Sequence, residues 1–155
     1  MKYELASLPG NAAEFMEMHG SMKTTPQGAA AAFIAALHLL SREKEEGENA
    51  LKIIDPAMPV SRLRLAAQQI QRMPYLANSY LPGSQPENGY TPSGDMTLEF
   101  SVNAYSGSEA DGRLKLFIPC SGAASPRPIT VMRRPDGSWY AHEWSSIVTG
   151  IVPPK

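Results

Sequence analysis

Near residue 95 the spacing of apolar residues changes once, and that change constrains the fold more than any other feature of the chain. Before it, apolar positions recur three and four apart; after it, they alternate. In "TTPQGAAAAFIAALHLL", Thr25 is placed to cap a helix and Pro26 takes its first position, where a missing amide does no harm. Ala30, Phe33, Ile34, Leu37 and Leu40 then fall on one face. "SREKEEGENALKIID" carries Ala50, Leu51 and Ile54 at helical spacing and stops before Pro56, which disfavours a helical residue ahead of it. "PVSRLRLAAQQIQRMP" puts Leu63, Ala66, Ala67 and Ile70 on one side and ends at Pro74. Three helices are expected before the change of period.

From Met96, the apolar residues Met96, Leu98, Phe100 and Val102 alternate with Thr97, Glu99, Ser101 and Asn103, as in a strand with one buried face. "RLKLFIPC" turns Leu114, Leu116 and Ile118 inward, and "ITVMRR" and "SWYAHEWSSIV" follow across the links "SGAASPRP" and "PDG". Four strands on short links favour an antiparallel meander over parallel crossovers. Helices and strands segregated along the chain predict an α+β fold, with three N-terminal helices packed on a four-stranded antiparallel meander sheet. The 155 residues suit one domain over 1–155, with a helical part at about 1–74, a long loop at about 75–95 and a sheet at about 96–150.

Charge excludes some partners. Fourteen Lys and Arg against 15 Asp and Glu give a net charge of −1, so no global field draws the chain to nucleic acid or to an anionic membrane. Arg133–Arg134 and the set Arg62, Arg64 and Arg72 read as solvent-facing positions. The single cysteine, Cys120, excludes an internal disulfide and suits a reducing compartment, so a cytoplasmic location is expected. Glu4 and Pro9 interrupt the apolar run a signal peptide needs, and no stretch reaches about 18 apolar residues. A soluble, unprocessed chain is expected.

The motifs that carry chemistry are mostly missing. "HEWSS" lacks the second histidine of a zinc-protease helix, and His19, His38 and His142 stand far apart without paired cysteines. "SREK" has the Ser-x-x-Lys spacing of acyl-transferring serine enzymes without their other motifs, and Ser41 reads as a helix cap. Neither glycine-rich phosphate loop occurs. Cys120 at a strand end reads as a small buried group rather than a nucleophile served by His142. No metal and no cofactor is expected.

Two loops stand out instead. "YLANSYLPGSQPENGYTPSGD" has neither period, exceeds the length of about 12 to 15 residues at which structureless loops become uncommon, and carries Tyr75, Tyr80, Leu81 and Tyr90 as anchors. In "SGAASPRPITV", Pro126 and Pro128 hold Arg127 in extended, preorganised backbone. Its guanidinium suits a carboxylate or phosphate ligand, or it pins the long loop by meeting Glu87, Asp95 or loop carbonyls. On the last strand, alternation puts Tyr140, His142 and Trp144 on one face and Trp139, Ala141 and Glu143 on the other, so one Trp is expected on each side.

"KTTPQGAAAAFIAAL", "SYLPGSQPENGYTPSG", "KLFIPCSGAASPRPITV" and "GSWYAHEW" together resemble a family of small bacterial proteins, common in gut and related anaerobes, that is a domain of unknown function. The resemblance covers most of the chain. It implies that the loops at 78–92 and 121–128 are hallmark segments, and it implies no activity, cofactor or catalytic residue; the family more often has an acidic residue where this chain has Ala124. The order of elements also resembles domains similar to nuclear transport factor 2, which hold a pocket between sheet and helices.

These observations point to a non-catalytic binding or interaction domain that uses the 78–92 and 121–128 loops. Its candidate binding residues are Tyr80, Glu87, Asn88, Tyr90, Ser125, Arg127, His142 and Trp144. Its expected partner is another protein or a small anionic ligand, with no nucleic acid and no membrane, and a homodimer stays open. The alternative is a small enzyme or small-molecule carrier with a pocket between sheet and helices, using His142, Glu143, Tyr80 or Arg127 as polar groups. A pocket of about 300 Å³ lined by those side chains would mark the alternative, and a flat aromatic patch beside the loops would mark the interaction domain.

Overall fold

Asn11 accepts a hydrogen bond from the Glu14 amide at 2.8 Å and so starts a helix that the apolar spacing did not announce, α1 (Ala12–Met22). In the computed structural model, which describes residues 1–155, it precedes α2 (Pro26–Arg42), α3 (Lys44–Ile54) and α4 (Val60–Arg72). The helices therefore number four, not three. Phe15, His19 and Met22 form the buried stripe of α1, and only two of those three are apolar. Thr25 caps α2 as expected, its hydroxyl accepting from the Gly28 amide at 3.1 Å.

α2 is the central helix. Thirteen of its 17 residues are buried, so it is covered on all sides rather than along one face. Its alanines let neighbours approach closely, and Gly47 of α3 lies so near Leu40 that an added Cβ would overlap the Leu40 backbone. The other side of α2 meets the sheet, where Phe33 and Trp144 pack with ring centroids 4.8 Å apart. The buried apolar residues form one continuous cluster.

The fold is α+β, with a four-stranded antiparallel meander in chain order: β3 (Gly107–Ser108), β4 (Arg113–Ile118), β5 (Arg127–Arg133) and β6 (Trp139–Glu143). Leu114, Leu116 and Ile118 are buried, as their alternation required. The segment from Met96 is not the first strand of this meander. Its core, β2 (Thr97–Glu99), pairs antiparallel with β1 (Lys2–Glu4) in a separate ribbon, with Tyr3 opposite Leu98. It touches the meander only through the bridge Ser101–Phe117. Leu98 and Phe100 are buried as alternation required, but Val102, beyond the end of β2, is 51% exposed, and alternation does not say which strand supplies the hydrogen bonds.

The expected split of the two tryptophans also fails. Trp139 and Trp144 are both buried, at 5% and 1% exposure. β6 ends at Glu143, and Trp144 leaves extended geometry with ψ 14° to enter a helical turn, Ser145–Val148. Alternation does not extend to it, and it swings inward beneath the guanidinium of Arg62, 4.3 Å from its ring.

Candidate functional site

Residues 75–95 are ordered by their own polar side chains. Ala77–Tyr80 and Pro86–Asn88 form short helical turns. Asn88 accepts from the amides of Gln85 and Thr91, both at 3.0 Å, and donates to the Gly83 carbonyl at 2.9 Å. Gly89 and Tyr90 follow in left-handed backbone, with φ 67° and 55°. Tyr90 is thereby turned inward, where it is fully buried and stacks on Tyr75 at 5.3 Å. From behind, His38 of α2 meets Asn78, with Nδ1 3.1 Å from Oδ1. Burial lowers the His38 pKa, and the Asn78 contact opposes that shift.

The second loop is tied to the first. The Ser121 amide donates to the Ser79 carbonyl at 2.9 Å, its hydroxyl reaches the same carbonyl at 3.1 Å, and the Ser84 and Ser121 hydroxyls lie 3.3 Å apart. Gly122 lies against the Tyr90 phenol, where a Cβ would overlap it. A third segment crosses both loops. The Val152 amide donates to the Gly122 carbonyl at 3.0 Å, the Tyr90 hydroxyl donates to the Val152 carbonyl, and the Lys155 amide donates to the Pro86 carbonyl at 2.8 Å.

Arg127 fastens that segment. Nη2 donates to the Gly150 carbonyl at 2.6 Å, and Nη1 donates to the Thr149 carbonyl at 3.0 Å and the Ser146 carbonyl at 3.4 Å. It meets neither Glu87 nor Asp95. Glu87 pairs with Lys155 at 3.5 Å on the surface, and Asp95 accepts from the Thr97 hydroxyl at 3.0 Å. Tyr80 is committed as well, its buried hydroxyl donating to the Ile147 carbonyl at 2.5 Å. Burial pushes its phenol far above the ordinary range, and nearby Cys120 adds to the rise. The Cys120 thiol donates to the Ser79 hydroxyl at 3.3 Å.

Two hollows flank the Ser79–Ser121 tie. One, of about 370 Å³, is walled mostly by apolar groups, among them Tyr80, Leu81, Pro82, Leu98 and Ile118, with Cys120 in its wall. The other, of about 640 Å³, is a broad trough lined by Gly83–Glu87 and Ser121–Ala124, with Val152 and Lys155 also in its wall.

Of the residues singled out in the sequence, Tyr90 lies against Gly122, Glu87 lines the trough with the 121–124 turn, and Tyr80 lines the apolar hollow with Cys120 and Ser121. Asn88 bonds only within its own loop, and Ser125 is exposed. Arg127 stands behind the surface as a clasp. His142 and Trp144 are not part of it: Trp144 is core, and His142 is half-buried on the outer sheet face, 3.4 Å from the Tyr140 hydroxyl. Ser79, Ser84 and Ser121 were missed. The signal was present, since small hydroxyls beside Tyr, Pro and Gly in "SYLPGS" and "CSG" satisfy loop backbone. The segment after Val148 gave no such signal, because its contacts are made by backbone. No group of three His, Cys, Asp or Glu side chains converges as a metal site needs. No helix is long and apolar enough to cross a membrane.

Four helices, a four-stranded antiparallel meander and a separate two-stranded ribbon define the class of the fold as α+β. Residues 7–155 match the model of a family described as a domain of unknown function, DUF6935, and the chain belongs to that family. No curated protein and no solved structure matches the chain.

Proposed function

We propose that this is a non-catalytic binding domain of a bacterial cytoplasm, which captures its partner at the surface made by residues 78–92 and 121–128. One arrangement supports it: the loops are fastened to each other and to the C-terminal segment, while hollows stay open on both sides of the tie. Preorganised loops lose little entropy when a partner docks, which is what recognition requires of them. The groups that chemistry would need are occupied: the Tyr80 hydroxyl and the Arg127 guanidinium bond backbone carbonyls, and the Cys120 thiol bonds Ser79. A free, buried thiol suits a reducing compartment.

A carrier with a pocket between sheet and helices has less support, because α2 fills that interface. The apolar hollow lies elsewhere, and of His142, Glu143, Tyr80 and Arg127 only Tyr80 lines it. Amide chemical-shift mapping of the full chain against small anions, apolar fragments and short peptides tests the proposal. Shifts clustered at 79–87 and 121–124 are expected. Shifts confined to the cleft of about 510 Å³ between α3 and α4, lined by Glu48, Lys52, Arg64 and Gln68, would overturn it.

A further inference from the structure

The apolar hollow has a backbone cause. In the ribbon, the Phe100 amide donates to the Met1 carbonyl at 2.7 Å, and the Leu5 amide donates to the Met96 carbonyl at 2.9 Å. Antiparallel ladders bond alternate residue pairs, so with Tyr3 opposite Leu98 the amides and carbonyls of Leu98 face β1. Those of Thr97 and Glu99 face the other way, toward β4. Ser101, next in that series, finds its partner there, exchanging two backbone bonds with Phe117 at 3.0 and 2.9 Å.

Continuing the Ser101–Phe117 register would set Glu99 against Pro119 and Thr97 against Ser121. Neither pairing forms. Pro119 has no amide to give, and the Ser121 amide is taken by the Ser79 carbonyl at 2.9 Å. The strands part, and the hollow of about 370 Å³ opens between Thr97–Glu99 on one wall and Ile118–Ser121 on the other. The outward donors and acceptors of Thr97 and Glu99 face this wedge without a backbone partner.

We propose that the wedge is a strand-addition site: an extended peptide segment of a partner protein pairs with the outward edge of β2 through Thr97 and Glu99 and seats an apolar side chain in the hollow. The proposal rests on the two-loop binding domain above and names the partner class for the side of that surface bordered by Ser79–Pro82 and Ser121. Free backbone groups specify extended polypeptide, because only another backbone offers donors and acceptors at the ladder repeat. Successive side chains of a strand point to opposite faces, so one that enters between Tyr80, Leu81, Leu98 and Ile118 is apolar, and its neighbours point away. The edge is short and carries the exposed Lys2–Glu99 pair, 3.3 Å apart, which guards it against indiscriminate pairing.

The test begins with selection of random short peptides against the full chain. The enriched peptide is then measured by fluorescence anisotropy against the wild type, Glu99→Pro and Glu99→Ala. Glu99→Pro removes an outward amide and no bond to β1, so affinity should fall about tenfold, while Glu99→Ala, which keeps that amide and loses only the exposed pair with Lys2, should change it less than about threefold. N-methylation of the peptide should abolish binding at alternate residues only, and binding should slow exchange of the Thr97 and Glu99 amides. If Glu99→Pro fails to fold, the N-methyl series on the wild type decides alone. A peptide that binds Glu99→Pro equally well and shifts only Gly83–Glu87 and Ala123–Ala124 overturns strand addition and leaves the two-loop surface as the binding site. Absence of any enriched peptide overturns it too, as does a dimer abolished by Glu99→Pro, which would make a second copy the occupant. Loss of all shifts at 79–87 and 121–124 with every probe class sinks the binding domain itself.

Discussion

Arg127 shows how far one residue can be read from sequence. Flanking prolines announced a stiff segment and an aimed cation, and both are present, but the target could not be read because it is backbone 19 to 23 residues further on. Carbonyls carry no sequence signature. Arg127→Ala should lower stability by about 2 kcal/mol, seen as a lower urea midpoint at unchanged slope. An unchanged midpoint would free Arg127 for a ligand. His19 gives a second prediction at this scale. Burial against Phe15, then Lys23 and Arg134, hold its pKa near 4 instead of 6.5. Above pH 6.5 it is neutral folded or unfolded and contributes no slope. Between 6.5 and 4 the unfolded chain takes up a proton that the folded chain refuses, so stability falls as pH falls, by up to roughly 3 kcal/mol. Urea unfolding across that window should show a shallower loss for His19→Phe than for the wild type. Identical slopes would contradict the assignment.

Elements were legible where side chains alone define them. The periods of α2, α3 and α4 and the alternation of β4 were clear in sequence, whereas α1 was hidden because His19 fills one of its buried positions. Strand partners were not legible. The N-terminal residues win the pairing with β2, and only three-dimensional proximity decides that contest. A register shift between Thr130 and Val131 likewise leaves no mark that periodicity could catch. Helix contact makes two opposite predictions for glycine. Gly47 faces the Leu40 backbone, so Gly47→Ala should destabilise by about 1 to 3 kcal/mol through overpacking. A Cβ on Gly20 of α1 meets nothing within 4 Å, so Gly20→Ala should stabilise by roughly 0.5 to 1 kcal/mol. Thermal denaturation of both variants decides, and equal shifts would mean that α2 and α3 are not so closely packed.

Across the molecule, helices on one face of the meander leave the loops at one end to build a surface, with the C-terminal segment laid over them. Both loops were visible beforehand, because turn residues crowd them and tyrosines anchor the first. The serine tie was missed although its small hydroxyls stand in the sequence, because their partners meet only on folding, and the C-terminal segment left no mark, since its contacts are made through backbone. Gly122→Ala would push the Tyr90 phenol from the Val152 carbonyl and should loosen strap and loops together. The most direct test of a preformed surface beside an open edge is native-state amide exchange on the free protein. The amides of Ser121 and Val152, and that of Leu98, should be protected nearly as well as the core, while Thr97 and Glu99 exchange fast. Exchange of Ser121 and Val152 at the rate of an unstructured chain, or protection of Thr97 and Glu99 as strong as that of Leu98, would contradict the account.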